Sequence, residues 1–140
     1  MTSSGDHNID GQWRGFYAYR NRPDDGSGFD AHFESVAGAL TGAIHDDQGL
    51  GEALISGSFD FPSINFTKVY VSGTALPIHY VGTMSDDGKS LSGTWLIAHD
   101  HIRVTGTWRA HRIDEEYKKS RAKKTSTVKV KERKLESQDQ

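Results

Sequence analysis

The chain is punctuated into short strand-type runs, and that punctuation limits its possible folds more than any single residue does. Eight runs occupy 10–20, 28–36, 38–45, 51–59, 63–71, 77–84, 89–98 and 101–112. The breaks carry turn chemistry: Asp24-Asp25-Gly26-Ser27-Gly28, Asp46-Asp47-Gln48-Gly49, Phe61-Pro62-Ser63, Ser72-Gly73-Thr74 and Asp86-Asp87-Gly88. No sustained helical period occurs before residue 114. Near-even short strands joined by short turns predict an all-β domain, either a sandwich or an up-and-down barrel.

Side-chain parity selects the barrel. Along each run one parity is apolar and the other polar, the mark of strands with one dry and one wet face. The dry set reads Trp13, Gly15, Tyr17, Tyr19; Phe29, Ala31, Phe33; Leu40, Gly42, Ile44; Ala53, Ile55, Gly57, Phe59. It continues Ile64, Phe66, Lys68, Tyr70; Ile78, Tyr80, Gly82, Met84; Leu91, Gly93, Trp95, Ile97; Ile102, Val104, Gly106, Trp108. The wet set includes Arg14, Asp30, His32, Glu34, Thr41, Ser56, Asn65, Thr67, Arg103 and Arg109. Aromatics alternate with glycine on the dry parity of most strands. Glycine weakens a strand interior unless space is needed there. An eight-stranded barrel has an interior that side chains just fill, or that holds one small ligand. The fold class is therefore a single eight-stranded antiparallel up-and-down β-barrel with a charged C-terminal tail.

Composition sets the domain limits. The chain has 140 residues, of which 34% are hydrophobic. Residues 1–113 hold 8 Lys+Arg against 13 Asp+Glu, and residues 114–140 hold 9 against 6. All 3 Trp and all 6 Phe lie in the first part; the tail has one aromatic, Tyr117. The reading is a flexible N-terminus over 1–9, a barrel domain over 10–113, and a tail over 114–140 that is disordered or a short helix. Such a tail buries too little apolar area to offset its ordering entropy. Its mixed charge without interleaved aromatics suits solvent better than nucleic acid. With 0 cysteines there is no disulfide framework or thiolate metal site. The N-terminus lacks a signal pattern and no apolar run is long enough to span a membrane, so a cytoplasmic location is expected. No phosphate loop, dinucleotide fingerprint or nucleophile elbow occurs, and no cofactor is expected.

Three motifs point to a family. Gly11-Gln12-Trp13 opens the first strand as a Gly-x-Trp opens calycin barrels. Gly38-Ala39-Leu40-Thr41-Gly42, followed by Leu54-Ile55-Ser56-Gly57-Ser58-Phe59-Asp60, resembles the third and fourth strands of bacterial avidins. Gly93-Thr94-Trp95-Leu96-Ile97 resembles their seventh strand. The resemblance to avidin and streptavidin covers about residues 10–112 and implies a calycin-type barrel with one open mouth. It does not carry the biotin chemistry. The family's ureido-binding positions fall here on Gly15, Tyr19, Ile44 and Thr107, and its Ser/Thr pair falls near Leu76 and Ile78. Only the aromatic box is partly kept, by Trp95, Tyr80 and Phe66. Buried hydrogen-bonding groups supply that kind of specificity, so the resemblance implies a cavity and not biotin.

In a meander the turns after strands one, three, five and seven share an end, which the resemblance makes the mouth. That end gathers Asp24, Asp25, His45, Asp46, Asp47, His99, Asp100 and His101. His45, His99 and His101 are therefore candidate metal ligands, and His45 and His99 candidate acid–base groups. Ordinary turn chemistry explains the same residues. Lys68 is the odd member of the dry parity. It either points inward, where a buried charge needs a ligand anion or an acidic side chain such as Asp46, or is turned out by a bulge that puts Val69 and Val71 inside. The bulge avoids the buried charge and is the slightly preferred reading.

The function expected from these residues is binding of a small, partly apolar molecule inside the barrel, without turnover. The ligand-binding candidates are Tyr17, Tyr19, Phe33, Phe66, Lys68, Tyr80, Trp95 and Trp108. One alternative is a barrel enzyme using rim His–Asp pairs or an inward Lys or Tyr. Another is a filled barrel that acts through an oligomeric outer face. The resemblance implies pairing through strands four to eight, and outward Leu54, Val69, Val71, Val81 and Leu96 are unusually apolar for a solvated face, so an even-numbered homo-oligomer is expected.

Overall fold

The computed structural model describes residues 7–49, 51–73 and 75–113. The tail expectations for 114–140 lie outside the described residues. Eight strands run in chain order: β1 Gly11–Tyr19, β2 Gly26–Val36, β3 Ala39–Asp46, β4 Glu52–Asp60, β5 Ser63–Tyr70, β6 Ile78–Met84, β7 Ser90–His99 and β8 Ile102–Arg112. Every neighbour pair is antiparallel, and β1 pairs with β8 from Trp13↔Arg112 to Tyr19↔Gly106, which closes the barrel. No helix occurs among the described residues.

The expected parity holds along nearly all of its length. Trp13, Tyr17, Phe29, Phe33, Leu40, Ile44, Ile55, Phe59, Ile64, Phe66, Tyr80, Met84, Leu91, Trp95 and Trp108 all face the interior and are buried. The inward glycines stand opposite rings. Gly15 pairs with Phe29, Gly42 with Phe33, Gly57 with Phe66, Gly93 with Trp108 and Gly106 with Trp95. The cross-strand backbone comes so close that a side chain would not fit. A Cβ on Gly57 would stand 2.0 Å from the Asn65 carbonyl oxygen, and one on Gly106 would stand 2.6 Å from the Trp95 ring. Gly15 and Gly106 give their volume to the Phe29 and Trp95 rings, whereas Gly42, Gly57 and Gly93 admit close approach of the neighbouring strand's backbone.

The two ends of the barrel differ. One is closed by the segment before β1. Ile9 is fully buried, and its carbonyl accepts the Trp13 Nε1–H at 2.9 Å. Arg112 lies 4.5 Å from the Trp13 ring centroid and donates to the Asp10 carbonyl at 3.0 Å. His7 stacks on Phe61 at 3.7 Å between centroids. The boundary expected at 9/10 therefore falls inside packed structure, because the end of the barrel needs an apolar plug and Ile9 supplies it.

Three further details depart from the expectations. β2 begins at Gly26, inside a stretch read as a turn, and Ser27 is buried. β3 runs on to Asp46, which continues the inward parity of Leu40 and Ile44. Ile102 was placed on the dry parity but is 52% exposed, because the β7–β8 hairpin projects past the rim.

Gly106→Ala is expected to destabilise the barrel by about 1–3 kcal/mol through overpacking. Gly49→Ala, whose Cβ would meet nothing within 4 Å, loses only the ease of its positive φ, about 1 kcal/mol. Chemical denaturation of both variants checks the ordering.

Candidate functional site

The mouth end holds a cavity of about 170 Å³. It is built by the upper halves of four strands and by the loop entering β6. β1 contributes Tyr17 and Tyr19, β5 Lys68 and Tyr70, β6 Ile78 and Tyr80, and β7 Trp95 and Ile97; Ala75 and Leu76 come from the loop. Of the residues expected from the sequence, Tyr17, Tyr19, Lys68, Tyr80 and Trp95 line this space. Phe33, Phe66 and Trp108 do not. They form the packed layer beside it, where Phe66 stacks on Tyr80 at 4.7 Å and meets Trp108 edge-on at 5.8 Å.

Lys68 points inward and is 1% exposed, so the bulge reading is overturned. β5 keeps regular register through Ile55↔Lys68 and Lys68↔Ile78, and Val69 faces outward at 46% exposure. The buried charge is tolerated because β3 supplies a buried carboxylate. Lys68 Nζ lies 3.4 Å from Asp46 Oδ1 and 3.5 Å from Oδ2. The Tyr70 hydroxyl also donates to Asp46 Oδ2. Three rings surround the ammonium, with centroids at 4.9 Å for Tyr70, 5.5 Å for Tyr80 and 5.6 Å for Tyr17. Their negative faces add cation–π attraction where water is scarce.

Burial shifts these groups in opposite directions. Desolvation pushes the Lys68 amine below its ordinary value, while the Asp46 charge acts against it. The Tyr17 hydroxyl is raised to about 12, first by burial and then by the Asp46 charge. Tyr70 and Tyr80 are raised for the same leading reason. All three therefore stay protonated at neutral pH and act as hydroxyl donors. The indole N–H groups are already used: Trp95 Nε1 donates to the Ala18 and Thr107 carbonyls and Trp108 Nε1 to the Val81 carbonyl. Polar recognition in the cavity thus falls to tyrosine hydroxyls and Lys68.

The rim histidines do not come together as a metal cluster among the described residues. No group of three or more His, Cys, Asp or Glu able to hold a metal ion occurs among the described residues. His45 points out of the barrel and borders an external hollow of about 180 Å³ with Asp30, His32 and Glu52. His99 is 57% exposed at the β7–β8 turn, 3.4 Å from its neighbour Asp100. His101 is exposed in the same turn. Asp25 pairs with Arg22, and Asp47 with Arg14 on the outer wall. Turn carboxylates are held by neighbouring cations and solvent, so the sequence concentration does not become a spatial one. Thr107, aligned by resemblance with a ligand-binding position, is exposed on the outer face and contributes nothing to the cavity.

Asp46 is the site residue whose place the strand limits obscured. The signal was the alternation Leu40, Gly42, Ile44, Asp46, hidden because Asp46-Asp47 reads as a turn. Family models, curated proteins and solved structures give no match to the chain.

Removing one partner of a buried pair strands the other. Lys68→Met is expected to cost about 3–5 kcal/mol by leaving Asp46 uncompensated. The double variant Lys68→Met/Asp46→Asn should recover more than half of that loss, because the Asn oxygen still accepts from Tyr70. A double-mutant denaturation cycle measures it, and additive losses would contradict the pairing.

Proposed function

We propose that the barrel binds a small neutral molecule of about one ring in its mouth cavity, without chemical turnover. The observation that carries this reading is a cavity walled by aromatics with a compensated Lys68–Asp46 pair in its side. Its volume sets the size class, since an apolar cavity of about 150 Å³ takes up benzene. Its charge sets the polarity. The ammonium and carboxylate cancel, and a ligand anion would meet Asp46 as well as Lys68. A ring with one hydroxyl or carbonyl suits the tyrosine hydroxyls and stacks against Tyr80 or Trp95. An avidin-like ancestry is compatible with a mouth site of this kind, and the absent ureido-binding groups argue against biotin.

Ile97 lines the mouth and is partly exposed, so enlarging it leaves the core alone. Benzyl alcohol binding, followed by ligand-observed NMR, is expected in the wild type and weakened by about tenfold or more in Ile97→Trp. Equal binding in both would place the ligand elsewhere, and no binding of benzyl alcohol or related single-ring compounds would remove the reading.

A second, compatible reading is a homo-oligomer. Leu54, Val69, Val71 and Val81 are 46–60% exposed on the outer wall of β4–β6, and Leu54 pairs directly with Val69. Around them the outward positions Ser56, Asn65, Thr67, Thr83, Ser92 and Thr94 carry no charge. The charged outward residues Arg14, Asp30, Glu34, Arg103 and Arg109 belong to β1, β2 and β8, and Glu52 and Asp60 stand at the two ends of β4. A face whose centre carries no charge docks on its own copy with little desolvation of ions. Light scattering after size exclusion should show a dimer or tetramer that dissociates in Val69→Lys/Val81→Lys; a concentration-independent wild-type monomer would remove this reading.

A further inference from the structure

We infer that Lys68 is an amine nucleophile that captures small carbonyl compounds, aromatic aldehydes foremost, as an iminium ion paired with Asp46. The inference rests on the mouth cavity being a ligand site and names what that site does to one class of guest. Four observations support it. Lys68 lines the cavity yet is shielded from bulk water at 1% exposure. A carboxylate stands 3.4 Å from its nitrogen. The Tyr70 hydroxyl donates to that same carboxylate. The cavity accommodates one ring next to the amine. A lysine desolvated in an apolar pocket is the usual way a protein holds an amine in readiness for a carbonyl.

The chemistry balances with groups already in place. The Lys68 ammonium passes one proton to Asp46, leaving a free amine and a neutral acid. The nitrogen lone pair forms a bond to the carbonyl carbon, and the N–H proton moves to the carbonyl oxygen, giving a carbinolamine. Asp46 returns its proton to the hydroxyl, which leaves as water as the nitrogen lone pair forms the C=N bond. The product is an iminium cation beside the Asp46 carboxylate, so the pocket holds one positive and one negative charge before and after. No oxidant or reductant takes part. Exclusion of water by Tyr17, Tyr70 and Tyr80 slows hydrolysis of the iminium. The ion pair that allows Lys68 to be buried also allows its carbonyl adduct to be buried.

The test treats the full chain with benzaldehyde and sodium cyanoborohydride at neutral pH, then locates benzylated lysines by peptide mapping. Benzyl alcohol binding is measured in parallel, because it has the same ring without a carbonyl. Lys68 is expected to be labelled about tenfold or more faster than Lys89 and the lysines of 114–140, and benzyl alcohol should slow the Lys68 label alone. Lys68→Met/Asp46→Asn should lose that fast label and keep the slow background. Binding of benzyl alcohol with no preferential label at Lys68 would overturn the covalent inference while leaving the binding reading intact. Absence of both binding and label would overturn the two together.

Discussion

A closed eight-stranded barrel has a fixed interior, and at several inward positions the neighbouring strand comes so close that no side chain fits. That constraint explains the glycines. Gly15, Gly42, Gly57, Gly93 and Gly106 each stand across a ladder from an aromatic residue, and a Cβ at any of them would overlap backbone or ring. The pattern is reciprocal, since the rings recover for the glycine positions the apolar contact that glycine lacks. Part of the barrel is thus filled by pairs of one large and one absent side chain, beside the directly paired rings Phe66, Tyr80 and Trp95.

The constraint is met differently at the two ends. At the closed end, Ile9, Trp13, Phe33 and Leu91 fill the section, with the Arg112 side chain over Trp13 and its donors on the N-terminal backbone. At the mouth the rings keep to the wall. Tyr19 and Trp95 meet edge-on at 5.3 Å, and Tyr17 and Trp95 at 6.2 Å. One layer deeper Phe66 stacks on Tyr80 and Trp108 meets both edge-on, which fills the section and gives the cavity its floor. The proposed guest occupies the section where stacking stops.

Lys68 and Asp46 are the exception to a dry interior. Two charges removed from water cost free energy that their attraction rarely recovers in full. Such a pair adds little to stability, and it places an ammonium and a carboxylate where a guest would meet them. Tyr17, Tyr70 and Tyr80, kept protonated by burial, complete a wall that donates hydrogen bonds and carries no net charge. The same geometry underlies the proposed binding and the proposed capture of carbonyl compounds.

Strand positions, their inward parity and the barrel class were legible in the chain because a period of two is a local property. Trp13, Phe66, Tyr80 and Trp95 could be placed inside from their neighbours alone. The resemblance of Gly38–Gly42 and Gly93–Ile97 to avidins added one open mouth but no ligand. What a residue meets across the barrel is not local. Asp46 stood both as turn chemistry and as one possible partner for an inward Lys68, with a bulge as the alternative, and only β3 and β5 brought to one interior decided among them. Ile9, read as part of a loose terminus, became the plug because closure creates an end that needs one. His45, His99 and His101, neighbours in a diagram of turns, separated once strand parity and hairpin projection aimed them at solvent. Alternation is written residue by residue, so the facing of the strands can be read from the chain alone, with Ile102 at the hairpin tip the exception. Which charges pair and what plugs the closed end depend on register and closure between strands distant in the chain, and those came only with the folded barrel.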